Sequence, residues 1–136
     1  MAQKSRILIV EDEIPVAQAL QRALTLPCGG GYCVESCESA EAAMVRLSHT
    51  HFDLLISDLR LPGINGLELI ELARQRCPGI RSVLITAFGS SQVEERARHL
   101  TDAYLAKPFR LGEMIQIVQR ILDEGQMPEL DGTHHD

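Results

Sequence analysis

The fold is decided by one segment in the middle of the chain, Leu54-Leu-Ile-Ser-Asp-Leu-Arg-Leu-Pro-Gly-Ile-Asn-Gly66. It contains a short apolar run from Leu54 to Ile56, an acid at Asp58, a turn signal at Pro62-Gly63 and a helix start at Gly66. A short apolar run bounded by turn residues is typical of a strand buried on both faces. The segment therefore predicts a buried strand that is followed by a carboxylate and leads into a helix.

Further apolar runs lie on both sides of this strand, and stretches of helical periodicity separate them. They are Ile7 to Val10, Tyr32 to Ser36, Val83 to Ile85 and Tyr104 to Ala106. Strands that alternate with helices indicate parallel strands joined by crossover helices. We therefore predict an α/β fold, doubly wound (βα)5, with a flavodoxin-like five-stranded parallel sheet in the order 2-1-3-4-5.

The helices are predicted from apolar stripes and from capping and breaking residues. The first helix is predicted from Pro15 to about Leu26, with Asp12 or Glu13 as its cap. The second is predicted from the apolar stripe Ala40, Ala43, Met44 and Leu47. The other three are predicted from Gly66 to Cys77, from Ser90 to Leu100 and from Leu111 to Leu122. In the fourth helix the apolar anchors Val93, Ala97 and Leu100 are sparse. We therefore expect that helix to be held only loosely.

Composition indicates one ordinary globular domain. The 136 residues include 45% hydrophobic and 24% charged residues. We expect the domain to span residues 1–124, and residues 125–136 to form a flexible tail or the start of a linker. No apolar run approaches the roughly 18 residues needed to cross a bilayer, so we expect no membrane contact and a cytoplasmic location. The net charge of −6 disfavours direct binding of nucleic acid.

Four cysteines lie at irregular spacing, at positions 28, 33, 37 and 77. They form no C-x-x-C pair, which disfavours a thioredoxin-like motif or a zinc ribbon. We interpret them as free thiols.

Residues able to do chemistry follow most of the predicted strands. Glu11 and Asp12 follow the first strand, Asp58 the third, Thr86 the fourth and Lys107 the fifth. In the predicted sheet these positions share one edge, where the ligand crevice of such folds lies. If the first and third strands are neighbours, three carboxylates meet there and repel one another unless a cation binds. Hard oxygen ligands, few in number, favour Mg²⁺.

Four segments together resemble the response-regulator receiver domain family of two-component signalling systems. They are Ile7-Leu-Ile-Val-Glu-Asp-Glu13, Leu54 to Gly66, Val83-Leu-Ile-Thr-Ala-Phe-Gly89 and Asp102-Ala-Tyr-Leu-Ala-Lys-Pro-Phe109. The resemblance extends from Ile7 to about Leu122. Each segment alone is weak evidence, but the four in this order with these separations are strong evidence.

The resemblance implies a site for phosphoryl transfer. Asp58 would be the phosphoacceptor, with a sensor histidine kinase or phosphotransfer protein as the donor. Asp12 and Asp58 would bind Mg²⁺ directly, Glu11 would act mainly through metal-bound water, and the backbone carbonyl of Arg60 would complete the protein ligands. Lys107 would neutralise developing charge on the phosphoryl group.

The resemblance also implies a switch. Thr86 would move to the phosphoryl group, and Tyr104 would turn inward behind it, changing the face made by the fourth helix, fifth strand and fifth helix. The Lys107-Pro108 bond would be cis, and Arg60 and Ala87 would influence the phosphate lifetime. That face would control an output domain or partner, and Ile117 at the margin of the last stripe indicates a homodimer there. The alternative that Tyr104 simply packs in the core stays open.

Other functions fit less well. An aspartate-nucleophile phosphatase needs a second acid two residues after the nucleophile, where this chain has Arg60. A nucleotide or flavin binder needs a Gly-rich loop after the first strand, where this chain has Glu11-Asp12-Glu13. We expect a regulatory phosphoacceptor that catalyses its own phosphorylation and dephosphorylation rather than an enzyme. The alternative is a phosphorylation-independent interaction module with the same fold.

Overall fold

A parallel sheet forms the centre of the protein in a computed structural model that describes residues 4–87 and 91–126. Its strands are β1 (Arg6–Val10), β2 (Cys33–Cys37), β3 (Leu54–Asp58), β4 (Arg81–Thr86) and β5 (Ala103–Ala106). All pairs are parallel, and the order is β2-β1-β3-β4-β5. The predicted fold and strand order are confirmed. Strand order reverses between β1 and β3, so the carboxyl ends of these two strands border the crevice.

Helices connect consecutive strands. They are α1 (Ile14–Thr25), α2 (Ala40–His49), α3 (Gly66–Arg76), α4 (Ser91–Leu100) and α5 (Leu111–Gln126). A short 3-10 turn, Pro27–Gly29, follows α1 and ends it slightly before the predicted Leu26. The predicted start of the fourth helix, Ser90, lies outside the described residues, as does the expected tail beyond Gln126. Within the described ranges, no helix is both long enough and apolar enough to span a membrane.

The sheet divides the core into two layers because successive strand residues point to opposite faces. On one face, α2, α3 and α4 cover residues such as Leu8 and Leu84. On the other face, α1 and α5 cover residues such as Ile7 and Ile85. All four of these strand side chains are fully buried. Burying each contributes about 1.5–3 kcal/mol, so both layers hold the strand ends in place.

The bounds of all five strands differ from the predicted ones by one or two residues at one end or at both ends. Asp58 and Thr86 are the last residues of β3 and β4 rather than the residues that follow them. Pairing continues that far because Asp58 lies opposite Ile85 in the neighbouring strand. In β2, the strand begins at Cys33 because the Tyr32 N–H donates to the carbonyl of Leu24, at the end of α1.

Two helix starts place the loops that reach the crevice. Asn65 and Glu68 form a reciprocal capping box at the start of α3, immediately after the loop that follows Asp58. Glu13 is the N-cap of α1, one of the two predicted caps, but its side chain makes no capping hydrogen bond. Pro15 lies in the first turn of that helix. The side chain of Glu13 is therefore available for a contact elsewhere.

Candidate functional site

Three carboxylates meet at the carboxyl edge of the sheet. Glu11 and Asp12 directly follow β1, and Asp58 ends β3. One oxygen from each lies within 4.8 Å of the other two. Glu11 is fully buried, Asp58 is 5% exposed and Asp12 is exposed. The clustering expected from neighbouring first and third strands is therefore present.

Both oxygens of Asp58 have hydrogen-bond donors. The N–H of Arg60 donates to Oδ1 at 3.2 Å, and Nζ of Lys107 donates to Oδ2 at 3.0 Å. The contact from Arg60 is thus through its N–H, whereas the resemblance implies a metal ligand from its carbonyl oxygen. Two donors hold the carboxylate in one orientation, as a positioned nucleophile requires.

Lys107 lies among several acids. Besides Asp58, its ammonium donates to Oε1 of Glu13 at 3.1 Å and lies 3.5 Å from Oε1 of Glu11. Its N–H donates to the carbonyl of Thr86, and its bond to Pro108 is cis. Burial opposes the ammonium charge, but the hydrogen bonds to Asp58 and Glu13 outweigh burial and raise the pKa of Lys107. The lysine is therefore a fixed positive charge in the crevice.

Glu11 is the most perturbed acid of the cluster. Burial raises its pKa from 4.5 to about 7, and the charge of Asp58 adds to this, against the opposing effects of the Glu13 N–H and Lys107. The Glu13 N–H donates to Oε2 of Glu11, whereas Oε1 is buried without a hydrogen-bond partner. The Lys107 ammonium, 3.5 Å from Oε1, offsets part of the cost of burying this oxygen, and a cation bound closer would offset more.

Two features of the site were missed from the sequence. The contact of Glu13 with Lys107 joins residues 94 positions apart, whereas the sequence pattern predicts only a helix cap at Asp12 or Glu13. The sequence feature that could have indicated this contact is the third consecutive acid, which follows Glu11 and Asp12. At Gly66 the sequence predicts only a helix start, yet a Cβ there would lie 2.2 Å from the carbonyl oxygen of Asp58. That approach packs α3 directly against the end of β3.

The candidate switch residues lie beside the crevice on one face of the sheet. Thr86, 5% exposed, ends β4 opposite Ala106 of β5. Tyr104 lies two residues before Ala106, so its side chain points to the same face as that of Thr86. Tyr104 is half-buried and packs against the core layer that contains Ala97 of α4. Ala87 is exposed next to Thr86.

Fold and site together define a doubly wound parallel α/β protein with an acidic crevice and a lysine at its carboxyl edge. The family model described as the response regulator receiver domain matches residues 7–119. The chain therefore belongs to the response regulator receiver domain family of two-component systems. Members of this family are regulatory phosphoacceptors rather than conventional enzymes, they typically bind Mg²⁺ at an acidic pocket, and they interact with histidine kinases or phosphotransfer proteins.

Similar proteins agree with this assignment. The response regulator protein FleR of Pseudomonas aeruginosa is 37% identical over 131 residues, which cover 94% of this chain and 27% of FleR. The transcriptional regulatory protein CusR of Escherichia coli K12 is 31% identical over 123 residues, covering 88% of this chain and 52% of CusR. The chain thus spans about a quarter of FleR and about half of CusR.

Solved structures show the same fold. The CheY-like response regulator receiver domain from Methanospirillum hungatei JF-1 superposes with a TM-score of 0.85 at 27% identity. That match covers 91% of this chain and 98% of the other.

Proposed function

We propose that Asp58 accepts a phosphoryl group from the phosphohistidine of a sensor histidine kinase or phosphotransfer protein, in a reaction that requires Mg²⁺. Phosphorylation then changes the face formed by α4, β5 and α5, which controls an output domain or a partner protein. The observation that carries this proposal is the 3.0 Å contact between Asp58 and Lys107 beside the clustered carboxylates of Glu11 and Asp12.

The acidic cluster fits a divalent cation. Oε1 of Glu11 is buried without a hydrogen-bond partner, and oxygens of Glu11, Asp12 and Asp58 lie within 4.8 Å of one another. An all-oxygen donor set with few protein ligands suits Mg²⁺. Asp12 and Asp58 would bind the ion directly, Glu11 would act through bound water, and Arg60 would add its carbonyl oxygen. The ion would supply positive charge that offsets the charge of the transferring phosphoryl group.

The chemical step requires little from the protein beyond placement and charge. An Oδ atom of Asp58 forms a bond to phosphorus as the phosphorus–nitrogen bond of phosphohistidine breaks. The electron pair of that bond stays on the ring nitrogen, and a proton on the other ring nitrogen makes the leaving group a neutral imidazole. The Arg60 N–H and the Lys107 ammonium orient the attacking carboxylate. Lys107 then turns from Oδ2 to a phosphoryl oxygen, which places its charge where negative charge develops.

The switch must be shared among several contacts. Moving an equilibrium from about 1:99 to 99:1 needs roughly 5.5 kcal/mol. A hydrogen bond from the hydroxyl of Thr86 to the phosphoryl group contributes about 1.5–3 kcal/mol. We therefore assign the remainder to Lys107, to the bound cation and to repacking of Tyr104. The sparse apolar anchors of α4 make it the element that moves.

The proposal extends to organisation and partners. We assign the receiver domain to residues 1–124 and the following residues to a tail or linker. We propose a cytoplasmic location, no direct contact with nucleic acid or membrane, and a homodimer through the α4, β5 and α5 face. Ile117, half-buried against the core layer of α1 and α5, lies at the margin of the apolar stripe of α5 and supports the dimer part of this proposal.

Phosphate labelling tests the proposal. The protein is incubated with phosphoramidate or acetyl phosphate, with and without Mg²⁺, and intact mass and acid-labile phosphate are measured. Asp58→Asn removes the acceptor. Asp123→Asn, an exposed acid on α5, is the matched control. We expect one phosphate per chain that requires Mg²⁺ and Asp58 and that is unchanged in the control variant.

Failure would have a clear meaning. If a known receiver is labelled under the same conditions and this protein is not, phosphoryl acceptance is wrong. The result would instead indicate a phosphorylation-independent interaction module. Labelling that persists in Asp58→Asn would move the acceptor to another residue.

A further inference from the structure

Glu13 reaches across the crevice while its backbone is held in place. Its N–H donates to Oε2 of Glu11 at 3.1 Å, and its carbonyl accepts from Val16 and Ala17 in the first turn of α1. Its side chain makes no cap for that helix and instead accepts from Nζ of Lys107 at 3.1 Å. The side chain of Glu13 is 62% exposed. The contact therefore connects the start of α1 to the end of β5.

We propose that Glu13 is a positioning residue that acts through Lys107, holding part of the ammonium in the resting protein and slowing phosphoryl uptake at Asp58. This inference rests on the proposed function. It assigns to Glu13 a role that follows neither from metal binding nor from capping of α1.

Several acceptor oxygens compete for the few donors of the Lys107 ammonium. An ammonium has three N–H groups, and in the resting protein Nζ of Lys107 lies within 3.5 Å of oxygens from Asp58, Glu13 and Glu11. A phosphoryl group on Asp58 brings further acceptor oxygens to the same ammonium. Glu13 is the most exposed of the three acids, so its carboxylate loses least by returning to water. We infer that the Glu13 contact is the one that breaks.

Charge acts in the same direction as this competition. The Glu13 carboxylate adds negative charge at the mouth of the crevice, where an anionic phosphoryl donor must enter. Removing that charge should favour both entry of the donor and release of Lys107. Because the Glu13 carboxylate is largely exposed, its effect is modest, and we expect a change of about two- to five-fold in rate rather than orders of magnitude.

The variant that tests the inference is Glu13→Gln, which keeps the size of the side chain and removes its charge. The matched control is Glu38→Gln, an exposed acid in the loop after β2 that removes the same charge from the same edge of the sheet. Initial rates of labelling by phosphoramidate are compared at a Mg²⁺ concentration that saturates each protein. We expect Glu13→Gln to be faster than the parent and Glu38→Gln to match it, with the difference shrinking at high salt.

A spectroscopic measurement shows whether Lys107 carries the effect. The chain has only two lysines, Lys4 and Lys107, so selective labelling of the lysine ε-carbon gives two resonances. Lys4 is exposed and is the internal reference. We expect Glu13→Gln to shift the Lys107 resonance and leave Lys4 unchanged, and Glu38→Gln to shift neither. If Glu13 has only a local role in α1, the substitution should leave the Lys107 resonance unchanged.

The outcomes separate this inference from the proposed function. If the parent protein takes up no phosphate, the proposed function fails. If the parent is labelled and Glu13→Gln is no faster than Glu38→Gln, or its Lys107 resonance does not move, the role of Glu13 is wrong while phosphoryl acceptance stands. A faster rate together with a shifted Lys107 resonance supports the inference.

Discussion

The ammonium nitrogen of Lys107 lies 3.0 Å from Oδ2 of Asp58, although 49 residues separate the two in the chain. The β4–β5 pairing makes the contact possible, because the N–H of Lys107 donates to the carbonyl of Thr86 at the end of β4. The same ammonium also contacts acids that follow β1. Lys107 therefore partly neutralises the metal-free cluster, and its loss should affect both cation binding and phosphoryl uptake.

Replacing Lys107 with methionine should separate these two effects. Lys107→Met keeps an unbranched side chain and removes the charge. We expect labelling of Asp58 to fall by about 100-fold, because a charge-stabilising donor at a reaction centre typically contributes a factor of this order. We expect Mg²⁺ to bind more tightly, because the ammonium no longer competes for the same carboxylates. Labelling rates and isothermal titration with Mg²⁺ measure the two quantities.

The chain offers a matched control for this change in its other lysine. Lys4 is exposed, so Lys4→Met removes the same charge far from the acids of the crevice. It should leave both the labelling rate and Mg²⁺ affinity unchanged. Weaker Mg²⁺ binding in Lys107→Met would show that the lysine supports the metal site instead of competing with the ion.

Gly66 should be required for the position of Asp58 at the end of β3. A Cβ at this position would lie 2.2 Å from the carbonyl oxygen of Asp58 and 2.9 Å from Oγ of Ser57. The closer obstacle is backbone, so either α3 or the end of β3 must move. We expect Gly66→Ala to lower the free energy of unfolding by about 1–3 kcal/mol and to slow labelling of Asp58. Chemical denaturation and labelling rates measure these effects.

Gly112→Ala is the control for this substitution. Gly112 also lies near the start of a helix, α5, but a Cβ there would meet nothing within 4 Å. The added methyl group should leave labelling unchanged and stabilise the protein by up to about 1 kcal/mol, because alanine favours helix more than glycine does. Equal destabilisation by the two substitutions would mean that the approach of Gly66 to Asp58 is unimportant.

Much of the fold could be predicted because sequence patterns and topology point to the same answer. The apolar runs found the buried strands β1, β3 and β4, whose side chains face helices on both sides. The predicted bounds of the edge strand β2 lie one residue before the observed bounds, since its half-exposed residues give a weaker pattern. Strand ends at Asp58 and Thr86 were missed because pairing with a neighbour extends a strand beyond its apolar residues.

Part of the candidate site could also be predicted from the sequence. Residues that follow strands are placed by topology, so the cluster of Glu11, Asp12 and Asp58 and its closeness to Lys107 follow from strand order. The Glu13 contact does not, because it depends on the direction of one long side chain at a helix start. The approach of Gly66 to Asp58 depends on how closely a helix packs on a strand, which periodicity does not specify.

Cys37 should be the slow thiol among the cysteines of β2. Burial raises its pKa to about 11, whereas Cys33 on the same strand is exposed. At pH 8 only about one Cys37 in a thousand would be the reactive thiolate. We expect iodoacetamide to modify Cys33 well before Cys37, as followed by peptide mass mapping. Unfolding in urea should remove the difference, and equal rates in the native protein would contradict the burial of Cys37.

Glu11 should make the metal-free protein less stable as pH rises. Its folded pKa, about 7, lies above its ordinary value of 4.5, so the folded chain holds a proton that the unfolded chain has lost. The resulting stabilisation is complete below about pH 4.5 and disappears as pH rises through about 7. Relative to Glu11→Gln, the parent should therefore lose up to about 3 kcal/mol of unfolding free energy between about pH 5 and 8.

Urea unfolding in EDTA across this pH range measures the loss of stability attributed to Glu11. Glu38→Gln, which removes an exposed acid, should follow the parent, so the difference from Glu11→Gln reports the buried group alone. Parallel curves for the parent and Glu11→Gln would show that burial does not perturb Glu11. Adding Mg²⁺ at about pH 8 should raise the stability of the parent more than that of Glu11→Gln, because a cation that binds only the folded chain offsets the buried charge.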